Sequence, residues 1–323
     1  MKSARRLVTL ALVLVLVGLA SLWVHDLLTD PTPIAELKQD PLDPIEEPFD
    51  SDSAPSLRVP SGSFEAPSKR SPAVVWAVGD GDASAGARRV TSRIEADRPD
   101  RVLYLGDVYD IGSEEDFDER YAPTYGRLAR ITAPTSGNHD WPNRGEGYEP
   151  YWREALGRTP PSFYSFRLAG WQILSLNSEA DHGRGGRQVR WLRAQLLAPG
   201  TCRLAFWHRP RYSAGTVHGD QPDVEPFWDA LAGRAAIVLN GHEHDMQVLR
   251  ARRGIVELVS GAGGHGRYPI RRSYPGLAFA DDRNYGALRL ELRPGDARYR
   301  FVSERGRVLK SGRIPCRRLV RGR

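Results

Sequence analysis

Five short polar motifs, each following or ending an apolar run, constrain the fold of this chain more strongly than any other feature of its sequence. They lie at residues 79–82 (GDGD), 106–109 (GDVY), 137–140 (GNHD), 207–210 (WHRP) and 241–244 (GHEH). The preceding runs, such as AVVWAV and RVLYL, are typical of buried β-strands, and helix-like segments separate several of them. This alternation predicts an α/β fold with parallel strands.

The motifs hold Asp, Asn and His side chains, which are the ligand types of hydrolytic sites with two metal ions. Because ligands bind beyond the carboxyl ends of parallel strands, we expect these side chains to converge on one edge. If residues 242–244 are extended, both histidines point the same way and Glu243 points elsewhere, either to solvent or behind the ligands. The candidate metal ligands are Asp80, Asp107, Asn138, His208, His242 and His244.

The apolar pattern also places the remaining elements. Helices are predicted at residues 84–96, 113–128, 188–197 and 224–232, and strands at 73–79, 101–106, 131–136, 163–168, 171–176, 202–207 and 236–239. After residue 245 the pattern predicts mostly antiparallel strands at 246–251, 254–260, 286–292 and 297–303. Such an order indicates two packed sheets with helices outside.

With these motifs, the chain resembles the calcineurin-like metallophosphoesterases over residues 73–245, and more closely their purple-acid-phosphatase-like branch. Motif order, strand context and spacing all match. The segments 121–141 (YAPTYGRLARITAPTSGNHDW) and 206–215 (FWHRPRYSAG) are similar to those of secreted bacterial members. The resemblance implies an α/β fold, a four-layer αββα sandwich of two mixed β-sheets, that carries a dinuclear metal centre.

The resemblance also implies roles. Asp107 would bridge two ions; Asp80 and His244 would complete the shell of one, and Asn138, His208 and His242 that of the other. The ions would be divalent or trivalent Fe, Zn or Mn, since Asp, Asn and His accept several metals. A metal-activated water would then hydrolyse a phosphomonoester or phosphodiester, and His139 would act as a catalytic residue on the leaving oxygen.

Two positions depart from the family pattern. Asp82 stands where many members carry His and the purple-acid-phosphatase branch commonly carries Gly, so it is either an extra ligand or a turn residue. Tyr109 is a possible ligand, but it comes one residue before the position of that branch's metal-bound Tyr, which Asp110 occupies. This spacing argues against a tyrosinate–iron bond.

Three further side chains are possible contacts for substrate. Arg209 follows a candidate ligand and is either a phosphate contact or a surface arginine. His218 and His265 lie in glycine-containing segments, and each is either an ordinary loop histidine or part of the rim of the site.

The N-terminus predicts the compartment. Lys2, Arg5 and Arg6 precede an apolar run at residues 7–24. As a helix at ~1.5 Å per residue the run would span roughly 27 Å, close to the hydrocarbon core of a bilayer. Residues 1–28 are therefore a transmembrane anchor or a cleaved signal peptide, and the catalytic domain is expected outside the cytoplasm, held at the membrane or secreted. Proline-rich acidic sequence at residues 29–72 predicts a largely disordered linker.

Residues 73–316 are predicted to form the folded domain, and residues 317–323 a basic tail. The formal net charge of +6 owes much to basic residues between 305 and 323. Because aromatic and basic residues do not alternate there, we expect a solvated basic tail, able to touch anionic lipid or wall polymer, rather than nucleic-acid binding, except where nucleic acid is substrate. The only two cysteines, Cys202 and Cys316, are either a disulfide or two inert buried thiols.

The sequence leaves a second function open, a metal-binding or cell-envelope binding protein that keeps the fold without turnover. Every expected ligand position is filled, which favours catalysis over this alternative. The sequence does not set the oligomeric state.

Overall fold

The computed structural model describes residues 72–198 and 202–316. The predicted membrane segment (1–28), the linker apart from Pro72, and the tail (317–323) lie outside the described residues. Within the described ranges, no helix is both long enough and apolar enough to cross a membrane.

The described residues form strands and helices in the order that the apolar runs predict. The strands are β1 (Ala73–Val78), β2 (Arg101–Tyr104), β3 (Thr132–Pro134), β4 (Tyr164–Leu168), β5 (Trp171–Ser175), β6 (Cys202–Phe206), β7 (Ile237–Asn240), β8 (Met246–Arg252), β9 (Ile255–Ser260), β10 (Leu277–Asp281), β11 (Gly286–Arg293), β12 (Asp296–Ser303) and β13 (Val308–Pro315). The α-helices are α1 (Ala85–Asp97), α2 (Glu114–Asp116), α3 (Tyr148–Leu156), α4 (Arg187–Gln195) and α5 (Glu225–Leu231). A π-helix covers Phe117–Tyr121, and 3₁₀-helices cover Tyr125–Ile131 and Pro222–Val224.

The strands form two mixed sheets. The first has the order β13-β12-β11-β1-β2-β3, in which β1, β2 and β3 are parallel and β11, β12 and β13 pair antiparallel. The second has the order β10-β8-β9-β7-β6-β5-β4, with β5, β6, β7 and β9 parallel. The connections between the parallel neighbours β1 and β2, β5 and β6, and β6 and β7 contain α1, α4 and α5, respectively.

Successive side chains of β1 explain how the layers pack. Val75 and Ala77 join a core that also contains Phe206 of β6, whereas Trp76 and Val78 pack with α1. This period of two places one face of each sheet against the other sheet and the opposite face against helices. A third apolar cluster joins α4 and α5 to the second sheet. The predicted four-layer αββα sandwich is therefore confirmed.

Four elements differ from the sequence prediction. The helix expected at 113–128 is instead the short α2, a π-helix and a separate 3₁₀-helix. Helix α3 and strand β10 were not predicted. Strand β13 was not predicted either; it carries Lys310 and Arg313 of the basic C-terminal segment and pairs antiparallel with β12.

A disulfide joins Cys202, the first residue of β6, to Cys316, which follows β13. Their Cα atoms lie 5.4 Å apart. The bond ties the last strand of the first sheet to the second sheet, and it excludes the alternative of two free thiols.

Candidate metal centre

The five motifs lie beyond the carboxyl ends of β1, β2, β3, β6 and β7. The first three strands belong to one sheet and the last two to the other. The motif side chains therefore meet where the ends of two sheets lie side by side, rather than at the edge of a single sheet as the sequence suggested. The first motif contacts the fifth directly, since the backbone N–H of His242 donates to both carboxylate oxygens of Asp80, at 3.1 and 3.0 Å.

One group of donor atoms surrounds the Nε2 atom of His208. This atom lies 3.0 Å from Oδ2 of Asp107, 3.0 Å from Oδ1 of Asn138 and 3.1 Å from Nδ1 of His242. All four side chains are buried. Donor atoms of Asp107, His208 and His242 lie within 4.8 Å of one another, which is compact enough for a single metal ion.

A second group lies on the other side of Asp107. The Tyr109 hydroxyl is 2.6 Å from Nε2 of His244, 3.3 Å from Oδ2 of Asp107 and 3.4 Å from Oδ1 of Asp80. His244 Nε2 is 3.6 Å from the same Asp80 oxygen. The two groups share Asp107, the residue that the resemblance assigns as the bridging ligand.

The hydroxyl of Tyr109 enters the site despite its unusual spacing because of the backbone at the end of β2. Gly106 and Asp107 have φ values of 100° and 66°, so the chain turns sharply after the strand. Asp80 and His242 also have positive φ, at 60° and 69°. Non-glycine residues avoid this region unless the surrounding structure holds them there, and such strain concentrates at functional sites.

The chemistry of the donors fits bound metal ions. Nε2 of His208 faces three polar atoms at once, and one N–H cannot satisfy all of them. A Cβ at Gly137 would lie only 2.0 Å from Oδ1 of Asp107, so glycine there admits the carboxylate. Two fully buried carboxylates, Asp80 and Asp107, also need a positive partner.

Burial and neighbouring charges shift the pKa values of the donor side chains. Burial raises the pKa of Asp80 well above its ordinary value, and the charge of Asp107 adds to this rise. Burial favours neutral His208, but the Asp107 carboxylate outweighs it and raises the pKa of His208 to about 10. Burial and neighbouring cationic groups hold the pKa values of His242 and His244 well below the ordinary range, so both stay neutral and keep a lone pair for a metal.

The side chain of Asp140 organises the site, although the sequence analysis gave it no role. Its Oδ2 accepts hydrogen bonds from the backbone N–H groups of Asp107 and Gly137, both at 2.8 Å, and its Oδ1 accepts one from Val108 at 2.9 Å. It is 1% exposed. Asp140 therefore joins the loops after β2 and β3. The only sequence signal for it is its position directly after Asn138 and His139.

His139 lies beside the donor groups and is partly accessible. Its backbone N–H donates to Oδ1 of Asp107 at 3.0 Å, and its ring lies 4.4 Å from that of Tyr109. The Nδ1 atom pairs with the carbonyl oxygen of Asp110. This contact assigns the ring proton to Nδ1, so Nε2 is the atom that can exchange a proton with a ligand.

Asp82 lies outside the donor groups, contrary to the extra-ligand alternative. Its Oδ2 is 3.1 Å from Nδ1 of His265, and its Oδ1 is 3.2 Å from the guanidinium of Arg120. Burial alone would raise the pKa of Asp82, but the His265 hydrogen bond and the Arg120 charge lower it. Asp82 is thus an ionised partner of His265.

Arg209 and Glu243 are also held by side-chain contacts. The Nε of Arg209 is 2.9 Å from the Glu179 carboxylate, so this guanidinium is already paired. Glu243 is fully buried and accepts a hydrogen bond from the backbone N–H of Gly219 at 2.5 Å, which excludes the solvent-facing alternative. Its carboxyl group packs against Gly215, where a Cβ would lie 2.0 Å from the carboxyl carbon.

Three rings form a layer against the donor side chains. His218 stacks on His242 with centroids 3.9 Å apart, and His265 stacks on Tyr109 at 3.6 Å. Tyr268, which the sequence analysis did not single out, stacks on His244 at 3.8 Å. The two glycine-containing segments that carry these rings join through the hydrogen bond from Thr216 N–H to the carbonyl of Pro269. The layer therefore limits how the donor rings can rotate.

Comparison with known proteins agrees with this geometry. A family model described as calcineurin-like phosphoesterase matches residues 76–246. Purple acid phosphatase 18 of Arabidopsis thaliana is 27% identical over 195 residues, which cover 50% of this chain and 44% of that protein. Probable purple acid phosphatase 20 of the same plant is 28% identical over 168 residues, 43% of this chain and 39% of that protein. This chain thus spans less than half the length of either plant relative.

Solved structures share the fold at low sequence identity. The purple acid phosphatase PPD1 from seeds of yellow lupin (Lupinus luteus) has a TM-score of 0.63 and 16% identity, and the match covers 76% of this chain and 54% of that chain. GAP50, the anchor in the inner membrane complex of Plasmodium, has a TM-score of 0.62 and 14% identity, with 77% and 90% covered. With the family match over residues 76–246, the fold and the motif geometry lead to one conclusion: the chain belongs to the calcineurin-like phosphoesterase family.

Proposed function

We propose that this protein hydrolyses phosphomonoesters or phosphodiesters at a dinuclear metal centre. The observation that carries the proposal is that two groups of buried donor atoms share the carboxylate of Asp107. Asp80, Tyr109 and His244 would hold one ion, in a group that the hydroxyl of Tyr109 completes. Asn138, His208 and His242 would hold the other. Two ions of Fe, Zn or Mn would polarise the phosphate oxygens and lower the pKa of a bound water.

The chain's own residues would then position the substrate and move its proton. The Nδ1 contact of His139 with the Asp110 carbonyl holds the imidazole so that Nε2 can donate a proton to the leaving oxygen. The backbone contact of His139 with Asp107 fixes its distance from the shared carboxylate. General acid catalysis of this kind contributes about 10²–10⁴-fold to a rate.

We also propose that the domain works outside the cytoplasm, at the membrane or secreted. The apolar run at residues 7–24 with its basic flank supports export. The disulfide between Cys202 and Cys316 supports an oxidising compartment, because cytosolic thiols are kept reduced. Two fusions would test this location, one with a reporter that is active only outside the cytoplasm and one with a reporter that is active only inside it, each placed after the domain. Activity of only the cytoplasmic reporter would contradict the proposed location.

The catalytic proposal is tested by measuring metal content and the hydrolysis of an aryl phosphate on the same preparations. Asp107→Asn should lower both metal content and kcat/KM, the latter by at least about 10²-fold, since both groups lose a charged ligand. Asp229→Asn is the matched control: Asp229 pairs with Arg184 and Arg253 at the surface, so its loss should leave both values within about twofold. A metal-loaded wild-type protein that hydrolyses neither aryl monoesters nor diesters would support the non-catalytic binding alternative instead.

A further inference from the structure

A groove lined by arginines lies between α1 and the turn that joins β12 to β13. It encloses about 460 Å³. We call it the arginine groove, and its lining residues are Arg88, Arg89, Ser92, Arg93, Glu304 and Arg305. None of these residues belongs to the donor groups of the metal centre.

The positive charge of the arginine groove is not balanced by acidic side chains. Among the described residues, Arg88, Arg89 and Arg93 are exposed and form no ion pair with a carboxylate. Arg88 donates to the carbonyl of Ala83, so its contact is with backbone. Arg305 pairs with Glu304 at 3.4 Å. Four guanidinium groups therefore face one carboxylate, and a concave surface concentrates the resulting field.

The arginines of α1 are electrostatically unfavourable for the helix that carries them. The first turn of the helix contains no acidic residue, and Arg88 and Arg89 lie in its N-terminal half, where the helix dipole disfavours positive charge. Arg89 and Arg93 are four residues apart and repel each other. Local conflicts of this kind are expected at functional surfaces, where a partner supplies the missing charge.

Both walls of the groove are held in place without a ligand. The Nε of Arg93 donates to the carbonyl of Glu304, and its Nη2 donates to that of Arg305, both at 3.5 Å. A Cβ at Gly306 would lie 3.1 Å from the Arg93 guanidinium carbon, so the turn packs directly on this side chain. The groove is therefore preformed, which lowers the entropic cost of binding.

We propose that the arginine groove binds a compact anion that carries several phosphate groups. Guanidinium groups match phosphate oxygens in a bidentate geometry, and the charge of the groove, four arginines less one glutamate, exceeds the charge of about −2 on a single phosphate group. The volume is within the range of small-ligand sites, about 300–1,000 Å³. The occupant is thus a polyphosphorylated small molecule, and binding does not depend on turnover at the metal centre.

The test is calorimetric titration of the full chain with inorganic tripolyphosphate in excess Mg²⁺, which limits chelation of the centre's metals. The triple variant Arg88→Gln, Arg89→Gln, Arg93→Gln should weaken binding at least tenfold and reduce its salt dependence. Orthophosphate should bind the wild type more weakly than tripolyphosphate does. Unchanged tripolyphosphate affinity in the triple variant would overturn the proposal.

A charge-matched control separates the groove from net charge. The variant Arg130→Gln, Arg167→Gln, Arg190→Gln removes three exposed arginines that do not line the groove, two of them on β4 and α4, and should change the affinity less than twofold. An equal loss in this control would show that only total charge matters and would overturn the proposal. Asp107→Asn should retain tripolyphosphate binding; if it abolishes the binding while the groove variant does not, the anion occupies the metal centre and the proposal is wrong.

Folding is controlled in the same experiment. The triple variant relieves repulsion within α1 but loses the contacts of Arg93 with the turn, so its thermal midpoint should stay within about 4 °C of that of the wild type, the shift that about 1 kcal/mol produces in a domain of this size. Should that variant fold poorly, the single change Arg305→Gln, at an exposed turn, provides the second measurement and should weaken binding at least threefold. No loss of affinity in Arg305→Gln would then refute the groove as the site.

Discussion

Asp140→Ala is the substitution whose effect on the free energy of unfolding follows most directly from the structure. The Asp140 carboxylate is 1% exposed and accepts three backbone hydrogen bonds, from Asp107, Val108 and Gly137. Truncation to Ala removes both acceptor oxygens, and with them all three hydrogen bonds, and offers no replacement. The loops after β2 and β3, which carry Asp107 and Asn138, would then be joined only by weaker contacts.

The magnitude follows from the three donors left behind. An unpaired buried N–H costs about 1–3 kcal/mol, so three of them cost roughly 3–9 kcal/mol before relaxation. The whole domain is expected to be stable by only about 5–15 kcal/mol. We therefore expect Asp140→Ala to lower the free energy of unfolding by at least about 3 kcal/mol. Asp140→Asn keeps one oxygen, which can still accept two of the bonds, and should lose about 1–3 kcal/mol.

The assay is urea denaturation of the chelated full chain, followed by the fluorescence of its eight tryptophans. Asp229→Ala is the control, because Asp229 lies in a surface ion pair and should cost less than about 1 kcal/mol. A change below about 1 kcal/mol for Asp140→Ala would refute the view that Asp140 joins the two loops.

Three further predictions rest on separate features. Tyr109→Phe should lower metal content by up to one ion per chain, because the hydroxyl lies in only one donor group; unchanged content and an unchanged visible spectrum would argue against ligation. Replacing Cys202 and Cys316 by Ser should cost about 4–5 kcal/mol in denaturation, because the bond closes a loop with a sequence separation of 114; an unchanged midpoint would contradict this. Burial raises the pKa of Asp140 to about 8 and that of Glu243 to about 7, so the folded chain keeps protons that the unfolded chain releases near pH ~4. The free energy of unfolding of the chelated protein should therefore fall as pH rises from about 4 to 8, by up to about 1.4 kcal/mol per pH unit for each of the two groups. In Glu243→Gln the dependence of this free energy on pH should be weaker below about pH 7.

Deletion of residues 305–323 would remove more than their basic side chains. This segment contains β13 (Val308–Pro315), the outermost strand of the first sheet, and Cys316 of the disulfide. Removing the segment would expose β12 and cut the link to β6. Charge reversal of individual arginines in this segment is therefore a more specific test of anion binding by the segment than its deletion.

The apolar pattern predicts which strands end in polar motifs, and from these the layers of the fold and the convergence of Asp107, Asn138, His208 and His242. This was possible because strand periodicity and the position of a residue at a strand end are local properties. Strand β13 was not predicted because it is an edge strand whose exposed residues lack apolar alternation. It is a strand because it pairs with β12.

The partners of the remaining side chains depend on how the chain packs and could not be predicted from local pattern. Tyr109 joins the donor group because the left-handed backbone at Asp107 redirects it, and Asp82 leaves the group because His265, distant in sequence, lies beside it. Asp140 acts through backbone N–H groups of another loop. The contacts of Tyr109 with His244, of Asp82 with His265 and of Asp140 with the loop after β2 all join segments distant in the chain, so their geometry exists only after those segments have packed.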